Sequence, residues 1–180
     1  GFVYVTDALH GDLRNIVDTL RQSTGIGAWI GTVGFGVCAS GVEYFDVPAM
    51  VLLVGALAGD DFCVLPTMED TDDGLSPQVA QWVGAHSPML GVVHGDPSNP
   101  QLEGLIEQVQ RRAGCFLVGG LTASRGALDQ VAGEITSGGI SGVLFSGETL
   151  IATGLTQGCS PIGSVHEVTE GHDNVLATID

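Results

Sequence analysis

The apolar positions of this chain switch period at two places, and each switch marks a strand giving way to a helix. Phe2 to Thr6 alternates as a strand does. From Leu13 onward the apolar residues Leu13, Ile16, Val17 and Leu20 recur at helical spacing. Asp12 is placed to cap that helix, which runs through about Gln22 before Ser23-Thr24-Gly25 ends it. A buried strand is expected over Ile26 to Val33. The same order returns from Met89, with a strand over Leu90 to His94 and a turn through Gly95-Asp96-Pro97-Ser98-Asn99-Pro100. Pro100 stands at a helix entrance, Leu102, Leu105, Ile106 and Val109 form the apolar stripe, and Ala113-Gly114 ends it before a returning strand over Cys115 to Val118.

Both units read strand, helix, strand, and each finishes at glycines, Gly34 with Gly36 and Gly119 with Gly120. Each crossover is long enough for parallel pairing. Between the units lie an apolar strand over Ala49 to Leu57, a shorter one over Phe62 to Leu65 and a helix near Ser76 to Ala85. After them, Ile140 to Phe145, Thr149 to Leu155, Ser164 to Thr169 and Val175 to Ile179 read as an antiparallel meander that extends the sheets. The expected class is mixed α/β, in the form of a four-layer αββα sandwich with sheets inside and helices outside.

Composition narrows the partners more than the fold. At 18.5 kDa, with 44% hydrophobic residues and 28 glycines, the chain suits one folded, turn-rich domain. Acidic residues number 21 against 5 basic ones, all of them arginine, for a net charge of −16. Nucleic acid and anionic membrane are therefore poor partners, since both require cationic patches. No apolar run approaches a membrane-spanning length, and the opening Gly1-Phe2-Val3-Tyr4 lacks a secretory pattern, so the expected compartment is the cytoplasm. Gly1 and Asp180 both fall in strand patterns, from which the chain is expected to be part of a longer protein.

The cysteines Cys38, Cys63, Cys115 and Cys159 form no Cys-x-x-Cys pair. Free thiols are expected of them, with two disulfides left open. No cofactor is expected: Gly34-x-Gly36 lacks the rest of a dinucleotide fingerprint, and a chain without lysine has no phosphate-loop Gly-Lys-Ser. The acidic run Glu69 to Gly74 lacks calcium-loop spacing, and His166 and His172 lack the helical spacing of a zinc pair.

Ligands on parallel sheets gather beyond the carboxyl ends of strands. Thr32 to Gly36, His94 to Asp96 and Gly119 to Thr122 should therefore share one edge. His94-Gly95-Asp96 has the residue types of a base with its orienting carboxylate, although loop chemistry explains the same letters. A second candidate is the corner Thr156-Gln157-Gly158-Cys159-Ser160-Pro161-Ile162-Gly163, where Gly158 and Gly163 free the backbone. Gln157 offers an amide, Ser160 and Thr122 offer hydroxyls, and Gly119, Gly120 and Gly158 offer bare backbone for close approach. Cys159 has the strongest case as a nucleophile, but no local base or cation activates it. The binding set is Thr32, Gly34, His94, Gly119, Gly120, Thr122, Gln157, Gly158, Cys159 and Ser160, with both glycine corners facing one cavity.

The block Gly138 to Gly147, then Gln157 to Gly163, then His166-Glu167-Val168-Thr169 and Asn174 to Asp180 resembles the end of the amino-terminal half of FIST domains. Ile26 to Gly36 and Cys115 to Gly120 are similar to earlier strands of that family. The resemblance implies an intracellular sensory domain without catalysis. Its ligand would be a small molecule, amino acids among the possibilities, and its signal would pass to an attached or partner output module. Ser160 stands where relatives often carry a basic residue, so no anion-binding role carries over with it. The rival expectations are a cysteine- or histidine-dependent hydrolase using Cys159 or His94, and a scaffold without ligand.

Overall fold

The computed structural model describes residues 1–156, 158–172 and 175–180. The first unit consists of β1 (Phe2–Thr6), α1 (Leu13–Thr24) and β2 (Ile30–Gly34), with one 3₁₀ segment over Asp7–Asp12 leading into the helix. A hairpin of β3 (Gly36–Ala39) and β4 (Val42–Phe45) follows, then β5 (Met50–Leu53), β6 (Phe62–Met68) and α2 (Pro77–His86). The second unit is β7 (Leu90–Gly95), α3 (Leu102–Ala113) and β8 (Phe116–Leu121). The rest is β9 (Gln130–Ala132), β10 (Glu134–Thr136), β11 (Ile140–Phe145), β12 (Val168–His172) and β13 (Val175–Ile179).

The helix signals act as their chemistry requires. Gly25 and Gly114 take left-handed φ values of 71° and 67° at the ends of α1 and α3, and each donates its amide back to the last turn. Ser76 caps α2 by accepting from the Val79 amide, and Pro77 fills the first turn.

Two sheets carry the fold, in the order β10-β9-β2-β1-β5 and β6-β11-β7-β8. β1 pairs with β2 in parallel, and β7 pairs with β8 in parallel, so the two units contribute one parallel pair to each sheet. Period-two alternation then divides the central strands of both sheets between two cores. Val3, Val5, Val33 and Val131 turn outward from the first sheet onto Leu13 and Val17 of α1. Leu65, Val93, Ile140 and Leu144 turn outward from the second onto Leu105 and Val109 of α3 and Val79 of α2. The alternate positions Phe2, Ile30 and Ala132 of the first sheet meet Phe62, Val64, Leu90, Val92, Val118, Val143 and Phe145 of the second. The result is the αββα sandwich: helix, sheet, sheet, helix.

Several expected strands differ from those observed. Ile26 to Trp29 precede β2 rather than belonging to it, and Val54 to Leu57 leave the sheet after β5, which lies at an edge. Thr149 to Leu155 forms no strand. Its residues have the right propensity, but no ladder partner lies beside them; Ile151 packs against the core between the sheets while Leu150 and Leu155 stay exposed. The strand expected over Ser164 to Thr169 begins only at Val168, and β12 with β13 makes a separate exposed hairpin instead of extending either sheet. The antiparallel strands that do extend the sheets come earlier: β9 and β10 join the first, and β11 inserts into the middle of the second between β6 and β7.

Leu144 is fully buried on β11, so Leu144→Ala is expected to lower unfolding free energy by about 2–5 kcal/mol. Leu155→Ala, at a position 91% exposed, is expected to change it by less than about 0.5 kcal/mol. Urea titration of the two variants checks both.

Candidate functional site

The seam between the sheets changes character along its length because five of the strands facing it pair an apolar residue with a polar or bare one two positions away. Phe2 is followed on the same face by Tyr4, Ile30 by Thr32, Val92 by His94 and Val118 by Gly120; on antiparallel β11, Val143 is matched by Ser141. Backbone register lines these up as two rows. Tyr4, Thr32 and Gln130 are direct neighbours in the first sheet, and Ser141, His94 and Gly120 are direct neighbours in the second.

The rows are bonded across the seam. Tyr4 Oη lies 3.1 Å from His94 Nε2, with the rings in an edge arrangement at 5.4 Å. Ser141 Oγ donates to Gln130 Oε1 at 2.5 Å, and Gln130 Nε2 donates to the Gly139 carbonyl at 3.0 Å. Thr32 Oγ1 and Thr122 Oγ1 share a hydrogen bond of 2.7 Å just beyond the strand ends. Thr32, His94, Thr122, Gln130 and Ser141 are all buried, so these pairings offset the desolvation of their polar groups.

Where the rows end, a cavity of about 410 Å³ opens, lined by Tyr4, Thr32, Gly34, His94, Gly119 and Gly120 together with the β3 residues Val37 and Cys38. It lies at the carboxyl ends of both parallel pairs, the position where α/β sheets collect ligands. Gly119 has φ 150°, and a Cβ there would stand 1.8 Å from the Val93 carbonyl oxygen, so this position requires glycine. Gly120 is the opposite case. A Cβ there meets nothing within 4 Å, and its side of the strand is the seam side, so the missing side chain is open cavity.

His94 is the electrostatic centre of the site. Burial lowers its pKa from 6.5 to about 4, so the ring is neutral at physiological pH. Burial also raises the Tyr4 phenol, which keeps its proton. With Nε2 engaged by Tyr4, His94 Nδ1 has no hydrogen-bond partner among the described residues. Asp96, two residues on, does not orient the ring. Its Oδ1 accepts from the Ser98 amide and hydroxyl and its Oδ2 from the Gly138 amide. Burial alone would raise its pKa, but those hydrogen bonds outweigh it and hold the carboxyl below its usual value. Asp96 therefore fixes the loops on either side of the site, and the base-and-carboxylate arrangement expected of His94 and Asp96 does not form.

Of the residues expected from sequence, Thr32, Gly34, His94, Gly119 and Gly120 come together at this cavity, with Thr122 bonded to Thr32 behind it. Gly158, Cys159 and Ser160 do not join them. All three are exposed and do not line the cavity at the strand ends, and Gln157 lies outside the described residues. Tyr4, Gln130, Ser141 and Cys38 went unforeseen. Tyr4 left a signal, a phenol flanked by Val3 and Val5; Gln130 and Ser141 become visible only through register. Among the described residues the four cysteines are free and no three metal-ligating side chains cluster.

A two-sheet αββα sandwich with a cavity at the carboxyl ends of its parallel strands defines the class of domain. The chain belongs to the FIST N domain family, whose model matches residues 1–180. Domains of this family are sensory modules of signal transduction. No curated protein and no solved structure matches the chain at a significant level. Among the described residues no helix is long and apolar enough to cross a membrane.

The His94 shift has a measurable consequence. An unfolded imidazole takes up its proton near its ordinary pKa of 6.5, whereas the folded one stays neutral down to about 4. The folded state therefore loses stability as pH falls through that window, and above it this group has no effect. Between about pH 7 and pH 4.5 the wild type is expected to lose about 2 kcal/mol more than His94→Gln, at roughly 1.4 kcal/mol per unit of separation. Urea unfolding of both proteins across that pH series provides the comparison.

Proposed function

We propose that this chain is the ligand-sensing unit of a signalling protein, and that the ligand occupies the cavity at the carboxyl ends of β1, β2, β7 and β8. The observation that carries the reading is His94: a buried, neutral ring that lines the cavity, is held by Tyr4 from the facing sheet, and keeps a buried Nδ1 with no partner among the described residues. A buried polar atom without a partner costs about 1–3 kcal/mol, which a ligand or an ordered water bonded there would recover. The contributing residues are Thr32, Gly34, His94, Gly119 and Gly120, with Thr122 buttressing Thr32. Because Tyr4 and His94 belong to different sheets, a ligand that bonds either one acts on the contact between sheets, and that gives binding a route to an output module in the same chain or in a partner. No catalytic step is assigned; His94 reaches a phenol, and among the described hydrogen bonds it reaches no thiol.

Gly120→Val tests the location. The added side chain enters open space, so the free variant is expected to keep its unfolding free energy within about 0.5 kcal/mol of the wild type, as a surface change does. Small metabolites screened by thermal shift are expected to stabilise the wild type, by about 2.7 kcal/mol at a hundredfold excess over Kd, and to leave Gly120→Val unmoved. Equal stabilisation of both proteins by every active compound would place the ligand elsewhere.

A further inference from the structure

We infer that this cavity selects an electrically neutral ligand, one that joins a compact apolar body to an uncharged hydrogen-bonding group such as an amide or carbonyl, and that it discriminates against free amino acids and other ions. The inference rests on the reading of the cavity as the sensing site and specifies what that site takes.

The argument is one of missing counter-charge. No described side chain lining the cavity is charged, and the polar ones are Tyr4, Thr32, Cys38 and His94, the last kept neutral by its burial. The cations that could serve a carboxylate are placed elsewhere. Of the five arginines, Arg14 and Arg21 lie on α1 and Arg111 and Arg112 on α3, the helices that cover the outer faces of the sandwich. Arg125 is at the same end of the molecule as the cavity, but it is already committed. Its guanidinium lies 2.5 Å from Asp46 and 3.6 Å from Asp7, and it sits over the Phe35 ring at 5.6 Å.

An amino acid entering this space would shed water from a carboxylate and an ammonium with no opposite charge to receive either. Desolvation of unpaired charge is the largest penalty a binding site can impose. The whole-molecule charge of −16 repels an anion before it arrives. A neutral polar group meets the reverse situation. The Tyr4 hydroxyl and the bare strand end at Gly119 and Gly120 offer single, uncharged hydrogen bonds, and Val37, Val51 and Leu121 receive an apolar body.

Four compounds of one shape separate the possibilities: N-acetyl-leucinamide is neutral, N-acetyl-leucine anionic, leucinamide cationic, and leucine zwitterionic. Titration of the whole chain, followed by NMR of the His94 ring carbon-bound protons, reports both affinity and place. N-acetyl-leucinamide is expected to shift the His94 signals in wild type and not in Gly120→Val, with a Kd at least about tenfold tighter than each charged relative. Leucine or either singly charged compound binding at His94 as tightly as the neutral one would overturn the inference and leave the site standing. Silence of all four at His94 counts against the inference. If the Gly120→Val screen also shows no loss of stabilisation, the site falls with it.

Discussion

Two sheets packed face to face must fill the space between them, and in this chain that filling decides everything downstream. At one end the seam is packed with Phe2, Ile30, Phe62, Leu90, Val143 and Phe145, around a second, apolar cavity of about 450 Å³, and their burial at about 25 cal/mol per Å² of apolar surface supplies cohesion without direction. At the other end cohesion passes to hydrogen bonds, which have direction. Tyr4 must meet His94 and Gln130 must meet Ser141, so the two sheets have one relative placement rather than many. The apolar end holds the sheets together and the polar end sets their alignment. The cavity exists because the polar rows stop at glycines and leave the mouth of the seam unfilled.

Placement of the helices follows from the same division. α1 and α3 each return the chain to a strand parallel to the one it left, which forces the carboxyl ends of β1, β2, β7 and β8 to one edge of the sandwich. That common edge is where backbone amides and carbonyls run out of ladder partners, and there the structure gathers threonine, histidine and glycine instead of apolar bulk. The loops beyond it are held from both sides: Asp96 grips the amide of Gly138 while Gln130, from the other sheet, grips the carbonyl of Gly139. A segment held in this way is a rigid rim for a site.

Much of this was legible in the chain itself, for reasons that can be named. The helical stripes of α1 and α3 declare themselves because each has a three-to-four-residue apolar period and a glycine stop. The shared edge at Thr32, His94 and Gly119 follows from parallel pairing alone. What escaped was anything that depends on register across the fold. Gln130 and Ser141 are ordinary letters until β9 is laid beside β2 and β11 beside β7. Thr149 to Leu155 misled for the converse reason: its composition suits a strand, but a strand is a relationship with a neighbour, and no neighbour is there. The corner at Gly158 to Ser160 has the residue types of a binding loop and an exposed position away from the cavity, which shows how far composition can run ahead of place.

The alternation that separates the cores also separates what can change from what cannot. Residues that pack under α1 and α3 and residues that line the cavity occupy successive positions on the same strands, pointing to opposite sides. Val3 and Val5 belong to the scaffold and Tyr4 between them to the site; Val93 belongs to the scaffold and His94 beside it to the site. A lineage carrying this fold can therefore exchange the inward letters and acquire a new ligand while the outward letters, and the stability they confer, are inherited unaltered. Sensory domains built in this way can diverge in what they detect within one conserved architecture.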